Sequence, residues 1–219
     1  MKNKIITESI NGCADLIFNN FKNLLSKKNK INIALSGGRT PIPVFDILSN
    51  YNLDWERIIF FLVDERDYKQ LNHSNYHNLK VSFFDKIKSK SNEFFIKNKG
   101  LNSSVLNYDK LIKKKVKLKN NIPCFDFIFL GMGDDGHVAS IFPNTPAQKN
   151  FTDIICKNFV PKFDSYRLTF TFPLILNADK LFLLISGKNK LDKIKNLKSK
   201  DPINYILKKS KNINVINIK

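Results

Sequence analysis

The chain has 219 residues, with 37 Lys+Arg against 19 Asp+Glu and a formal net charge of +18. A hydrophobic share of 42%, including 19 Phe, can form a core and excludes an intrinsically disordered chain. Three scattered cysteines (Cys13, Cys124 and Cys156) with no CxxC pair exclude a disulfide scaffold and suit a reducing cytosol.

Taken in chain order, the first eight residues lack the apolar stretch of a signal peptide. Residues 8–28 predict an amphipathic helix, with Ile10, Ala14, Ile17, Phe21 and Leu24 at three-to-four spacing. Ile31–Leu35 is a short apolar run ending in Ser36-Gly37-Gly38, the pattern of a buried strand entering a tight loop. Thr40 as N-cap and Pro41 at the first helical position then open a helix carrying Val44, Phe45, Ile47 and Leu48. Residues 58–63 are a second apolar run, closed by the charged cluster Asp64-Glu65-Arg66-Asp67. After a polar loop, residues 76–87 predict a helix. A third buried strand, residues 125–130, leads at once into Gly131-Met132-Gly133-Asp134-Asp135-Gly136-His137 and a short helix over 138–142. Next come an alternating strand at 167–172, a helix at 174–179 and a buried strand at 181–186 ending at Gly187. An alternating strand at 212–218 closes the chain, and the lysine-rich stretches 110–121 and 188–200 read as solvated loops or helix faces.

Continuous apolar strands separated by helices indicate an α/β fold, with one domain over residues 1–219. It is expected to be Rossmann-like, a largely parallel sheet flanked by helices, with antiparallel strands toward the C-terminus. No apolar run approaches the ~18 residues of a membrane helix. The polar motifs all follow strands, where ligands of open α/β sheets bind.

A strongly basic chain suggests a nucleic-acid binder. Here only four basic residues are arginine (Arg39, Arg57, Arg66 and Arg167), and the lysine runs are nearly free of aromatics. The charge therefore reads as a lysine-rich background. Arg39, Arg66 and Arg167 fall in the polar motifs, as do six of the eight glycines, so those motifs are not products of abundance.

In Ser36-Gly37-Gly38-Arg39-Thr40-Pro41, two glycines permit close backbone approach, a helix N-terminus follows, and Arg39 and Thr40 add donors suited to a phosphate. Without a Gly-Lys-[Ser/Thr] ending it is not a Walker loop, and alone it is equally an ordinary strand-to-helix turn. Gly131-x-Gly133-x-x-Gly136 matches the dinucleotide fingerprint, but Asp134 and Asp135 would oppose a pyrophosphate. His137, at the start of the expected helix, should stay neutral and available as a base. In Asp64-Glu65-Arg66 the guanidinium fork suits a carboxylate or phosphate held in a fixed plane, although such a cluster is often a solvated turn. His73 and His77 stand four apart but lack a third metal ligand, so no metal is expected. There is no GxSxG elbow, and Ser140 reads as helix packing or capping. The cysteines read as buried small hydrophobes.

Together these motifs resemble the 6-phosphogluconolactonase family, within the larger group that includes glucosamine-6-phosphate deaminases. The resemblance rests on Leu-Ser-Gly-Gly-Arg-Thr-Pro (35–41), Trp55 with Val-Asp-Glu-Arg (63–66), and Ser74-Asn75. It continues through Gly-Met-Gly-Asp-Asp-Gly-His-Val-Ala-Ser-Ile-Phe-Pro (131–143), Arg167-Leu-Thr and Gly187-x-x-Lys190, and so runs from about Leu16 to the end of the chain. The deaminases follow the histidine with Ile-Ala-Phe-Asn-Glu-Pro-Gly, where the glutamate helps open the sugar ring. This chain has Val-Ala-Ser-Ile-Phe-Pro, with no acid there, which favours the lactonase.

The resemblance implies hydrolysis of 6-phospho-D-glucono-1,5-lactone to 6-phosphogluconate without metal or organic cofactor. His137 would be the general base on water and would return a proton to the departing ring oxygen. Arg66 or backbone N–H groups of the 131–136 loop would stabilise the oxyanion, and Asp64 would orient groups in the site. Ser36, Gly37, Gly38, Arg39, Thr40, Gly133, Asp135, Arg167 and Lys190 would bind the substrate and its phosphate. The implied partner is a small phosphorylated sugar lactone, with no nucleic acid and no membrane, acted on by a cytoplasmic monomer or weak homo-oligomer. The alternatives are a deaminase-like sugar-phosphate enzyme and a non-catalytic sugar-phosphate-binding module. A sensor would need a helix-turn-helix partner, for which the residues ahead of the first predicted strand leave no room.

Overall fold

The computed structural model describes residues 5–66, 74–87 and 101–219 with their side chains, and the backbone of residues 92–94. The first half contains β1 (Ile5–Glu8), α1 (Ile10–Leu25), β2 (Ile31–Leu35), α2 (Ile42–Leu48), β3 (Ile58–Leu62), β4 (Asp64–Arg66), α3 (Asn75–Ser82), β5 (Asn92–Phe94) and α4 (Leu101–Lys115). Next come β6 (Leu118–Lys119), β7 (Ile122–Pro123), β8 (Phe127–Gly131), β9 (Ile155–Val160) and β10 (Ser165–Phe170). The chain ends with α5 (Phe172–Leu176), β11 (Lys180–Ser186), α6 (Lys188–Lys195), α7 (Pro202–Lys209) and β12 (Ile213–Ile218).

Strands that are apolar at successive positions must be covered on both faces. The main sheet has seven strands paired in parallel in the order β1-β12-β11-β8-β2-β3-β5. Ile33, Phe60, Phe129, Phe182 and Ile216 point to one face, against Phe21 of α1, Phe45 of α2 and Leu79 of α3. Ala34, Phe61, Leu130, Leu183 and Val215 point to the other, against Ile112 of α4, Ile175 of α5 and Ile206 of α7. This period of two is the strand's own. Phe129 and Phe182 lie side by side on neighbouring strands, stacked at 4.8 Å.

A separate antiparallel sheet, β4-β10-β9, sits at the end of β3. Of the strands expected toward the C-terminus, β10 is the antiparallel one, paired with β4 and with the unexpected β9, whereas the last strand, β12, runs parallel between β1 and β11. Other boundaries differ from the sequence reading. The first helix is trimmed to Ile10–Leu25 because the Ser9 hydroxyl caps it, accepting from the Gly12 N–H at 3.0 Å. The α2 cap is Pro41, not Thr40, and makes no side-chain cap bond. Residues 76–87 divide into α3 and a 3-10 turn at Phe84–Lys86, and α5 starts two residues earlier than expected. The lysine-rich stretch 110–121 is the end of α4 and the β6–β7 hairpin, and 188–200 begins as α6.

The short helix expected over 138–142 is absent. Val138 and Ile141 instead form an antiparallel bridge around a turn in which Ala139 has φ +49°. Arg57, the one arginine outside the polar motifs, donates at 2.7 Å to the carbonyls of Leu25, Lys28 and Asn29, closing the end of α1. Among the described residues no helix is long and apolar enough to cross a membrane.

Candidate active site

The motif loops leave the carboxyl ends of four neighbouring strands, β11, β8, β2 and β3. Sequence order runs outward in opposite directions from β2, so the crevice between β2 and β8 is the switch point of the sheet. Ser36 and Pro41 lie beside Gly131 there: a Cβ on Gly131 would meet Pro41 Cδ at 3.8 Å and Ser36 Oγ at 3.9 Å.

The loop after β8 closes on itself. The Gly133 N–H donates to the His137 carbonyl at 2.9 Å, and the Gly136 N–H to the Gly133 carbonyl at 3.0 Å. Gly136 has φ +78°, and its Cα faces Asp201, which a Cβ would meet at 2.9 Å. With no helix following, the dipole reason for a neutral His137 falls away, and three local contacts fix the imidazole instead. Its Nδ1 is 2.5 Å from Asp135 Oδ1, and Phe142 stacks on the ring at 3.9 Å. Gly133 packs so closely that a Cβ there would sit 2.0 Å from Nδ1. With Asp135 ionised, Nδ1 is the nitrogen that carries the proton, leaving Nε2 as the acceptor.

Partial burial pushes the Asp135 carboxyl up, but the hydrogen bond and charge of His137 outweigh it and hold the group down at about 2. An unfolded aspartate titrates near ~3.9. The contact therefore adds stability above about pH 4 that disappears as pH falls through about 2. With solvent screening, about 1 kcal/mol is expected. The unfolding free energy of Asp135→Asn should fall less steeply over that acid range than that of the parent; equal slopes would count against the pair.

β4 carries Asp64, Glu65 and Arg66. Asp64 is buried and does not hold His137 directly. Its Oδ2 accepts from the Ser140 hydroxyl at 2.7 Å, across 76 residues of sequence. Ser140 is thus neither helix packing nor a cap: it ties the turn after His137 to β4, with its N–H on Thr169 Oγ1 at 3.0 Å. Glu65 was not among the expected site residues. It is 2% exposed and accepts from the Ser74 hydroxyl and from the N–H groups of Arg66, Asn75 and Tyr76. Burial pushes its carboxyl up, and those bonds oppose the shift.

Arg66 stands directly across from Arg167 in the β4–β10 ladder, so the two side chains share a face. Like charges so placed repel, and an anion between them relieves the repulsion. The Arg167 guanidinium lies over Phe163 at 4.9 Å and Phe142 at 5.9 Å. Its Nε is buried without a hydrogen-bond partner among the described residues, and burial draws its pKa down.

The loop after β2 is less of a helix-dipole site than expected, because Pro41 and Pro43 remove two amide donors at the start of α2. Ser36 is buried, Gly38 and Thr40 are half-buried, and Arg39 is exposed. Arg39 and Gly37 line a cleft of about 440 Å³ with His77 and Asn78. Lys190, on α6, is drawn to Asp134 at 2.7 Å, which holds that carboxyl below the usual carboxylate range. A second cleft, of about 450 Å³, borders Asp135, Phe142, Lys162, Lys193 and Asp201. His73 lies outside the described residues, and among those described no three His, Cys, Asp or Glu side chains cluster as metal ligands.

The family described as glucosamine-6-phosphate isomerases/6-phosphogluconolactonase matches residues 6–215. The chain is 35% identical to a 6-phosphogluconolactonase of Thermotoga maritima, over 82% of this chain and 80% of that protein. It is 30% identical to a probable 6-phosphogluconolactonase of Dictyostelium discoideum, over 81% and 78% of the two. A solved 6-phosphogluconolactonase structure from T. maritima superposes with a TM-score of 0.82 at 27% identity, covering 98% of this chain and 99% of that one. The fold is shared with a 6-phosphogluconolactonase of Shewanella baltica at a TM-score of 0.89 and 21% identity, covering 99% and 98%.

Proposed function

Because the chain belongs to the family of glucosamine-6-phosphate isomerases and 6-phosphogluconolactonases, we propose that it hydrolyses 6-phospho-D-glucono-1,5-lactone to 6-phosphogluconate. The observation that carries the lactonase over the deaminase is Phe142. It precedes Pro143, where the deaminase pattern has its glutamate, and its ring stacks on His137 at 3.9 Å. That position offers an apolar wall to the imidazole and no acid to open a sugar ring.

In this reading His137 Nε2 removes the proton from a water attacking the lactone carbonyl, while Asp135 holds Nδ1 and supports the imidazolium that forms. The imidazolium then returns the proton to the departing ring oxygen. The amides of Gly133 and Gly136 are used inside the loop, so the oxyanion is stabilised by Arg66 or by another backbone N–H of the 131–136 loop. Asp64 orients the site through Ser140. Ser36, Gly37, Gly38, Arg39, Thr40 and Lys190 hold the phosphate, with Arg167 assisting from β10 and Gly133 leaving room for the ring. Lys190 would exchange Asp134 for the phosphate. We assign this activity to residues 1–219 as one domain, acting in the cytoplasm as a monomer or weak homo-oligomer. The +18 charge draws in an anionic substrate and is not assigned to nucleic acid or membrane.

The test is lactone consumption by the purified protein, with glucosamine 6-phosphate as control. Lactone should disappear faster than it hydrolyses spontaneously, and the amino sugar should release no ammonia. Ammonia release, or lactone loss at the spontaneous rate, would overturn the reading.

A further inference from the structure

Glu65 lies between two proposed site residues, yet strand alternation points its side chain to the face opposite Asp64 and Arg66. It is buried against the start of α3 rather than in the crevice. An ionised carboxylate has two oxygens that only accept, and here each oxygen takes two donors. Oε1 accepts from the N–H groups of Arg66 at 2.8 Å and Asn75 at 2.9 Å. Oε2 accepts from the Ser74 hydroxyl and the Tyr76 N–H, both at 2.9 Å. Two of these are first-turn amides of α3, which have no partner within their own helix.

The consequence runs through Asn75, which is 1% exposed. Its Nδ2 donates to the Asp64 carbonyl at 3.0 Å. Its Cβ and carbonyl oxygen lie against Gly37, where an added Cβ would meet both at 2.6 Å. Asn75 thus touches the loop after β2 and the strand β4 at once, and Glu65 fixes where Asn75 stands.

We propose that Glu65 is a positioning residue that clamps the start of α3 onto β4 and, through Asn75, sets the spacing between the Gly37–Thr40 loop and the Asp64–Arg66 strand. This rests on the lactonase reading, in which the first of these elements holds the phosphate and the second the reacting carbonyl. A misplaced spacing weakens binding of the whole substrate more than it alters proton transfer by His137, which sits on a different loop.

The experiment compares Glu65→Gln with the parent. The amide nitrogen of glutamine must face two donors whichever way it turns, while volume is conserved. KM for the lactone and Kd for 6-phosphogluconate, read by calorimetry, should both rise about tenfold or more, with kcat changed by less than about threefold. The pH profile of kcat should be unmoved. Ser74→Ala, which removes one donor to Glu65 and the cap bond from the His77 N–H but leaves the three backbone bonds to Glu65, covers the case in which Glu65→Gln does not fold. It should shift KM and Kd in the same direction by a smaller factor. Parental KM and Kd in both variants, or in Ser74→Ala alone if Glu65→Gln does not fold, would overturn the inference, even where Tm falls. A parent protein that neither hydrolyses the lactone nor binds 6-phosphogluconate would instead overturn the functional reading on which it rests.

Discussion

His137→Ala is expected to lower kcat for the lactone by at least about 10²-fold, the lower end of what a positioned general base contributes. The fold should survive the change. Two hydrogen bonds that shape the loop, from Gly133 N–H to the His137 carbonyl and from Gly136 N–H to the Gly133 carbonyl, are main-chain bonds that alanine keeps. The lost contacts are the stack on Phe142 and the bond to Asp135. Asp135 is only partly buried, so water can replace the imidazole. KM should change little, because the phosphate is held on other loops. The limb of the pH–rate profile that reports the general base should vanish with the imidazole. Turnover near that of the parent would remove His137 from the mechanism.

How far this site was legible in the sequence depended on the range of the interaction. The buried strands were plain because burial on both faces leaves continuous apolar runs, as at Ile31–Leu35 and Ile58–Leu62. β1 and β9 were missed: the first is a four-residue edge strand, and Lys157 and Asn158 interrupt the apolar run of the second. α4 carries Val105, Tyr108 and Ile112 at helical spacing, a signal masked by the lysines around it. The histidine and its glycine loop could be found because they are contiguous. What holds them could not. Ser140 meets Asp64 across 76 residues, and Glu65 gathers donors from ten and eleven residues away. Glu65 was also hidden by its neighbours, since Asp64 and Arg66 have more obvious chemistry. The helix expected after His137 failed because a run of helix-compatible residues says nothing about Ala139 adopting a positive φ.

Gly133→Ala should be nearly as damaging as removing the histidine itself. The backbone there is not in the left-handed region, so alanine is not excluded by φ. The obstacle is space: its Cβ would lie 2.0 Å from His137 Nδ1 and 2.1 Å from Cε1. With Phe142 stacked on one face at 3.9 Å, the ring must shift to relieve the overlap, and its Nδ1 shifts with it from Asp135. Displacing a reacting group by about 1 Å can cost about 10²-fold, and kcat for Gly133→Ala is expected to fall by at least that much. Gly12→Ala, on α1, serves as the remote control: its Cβ would meet the flexible end of Glu8 at 2.6 Å and the Ser9 hydroxyl at 3.3 Å, neither of them a site residue, and kcat should be parental. The double variant decides between a displaced base and a distorted loop. Once His137 is alanine there is no ring to displace, so adding Gly133→Ala should cost less than about threefold more. A second loss as large as the first would mean that Gly133 serves the substrate or the loop itself, and that the close contact with His137 is incidental to catalysis.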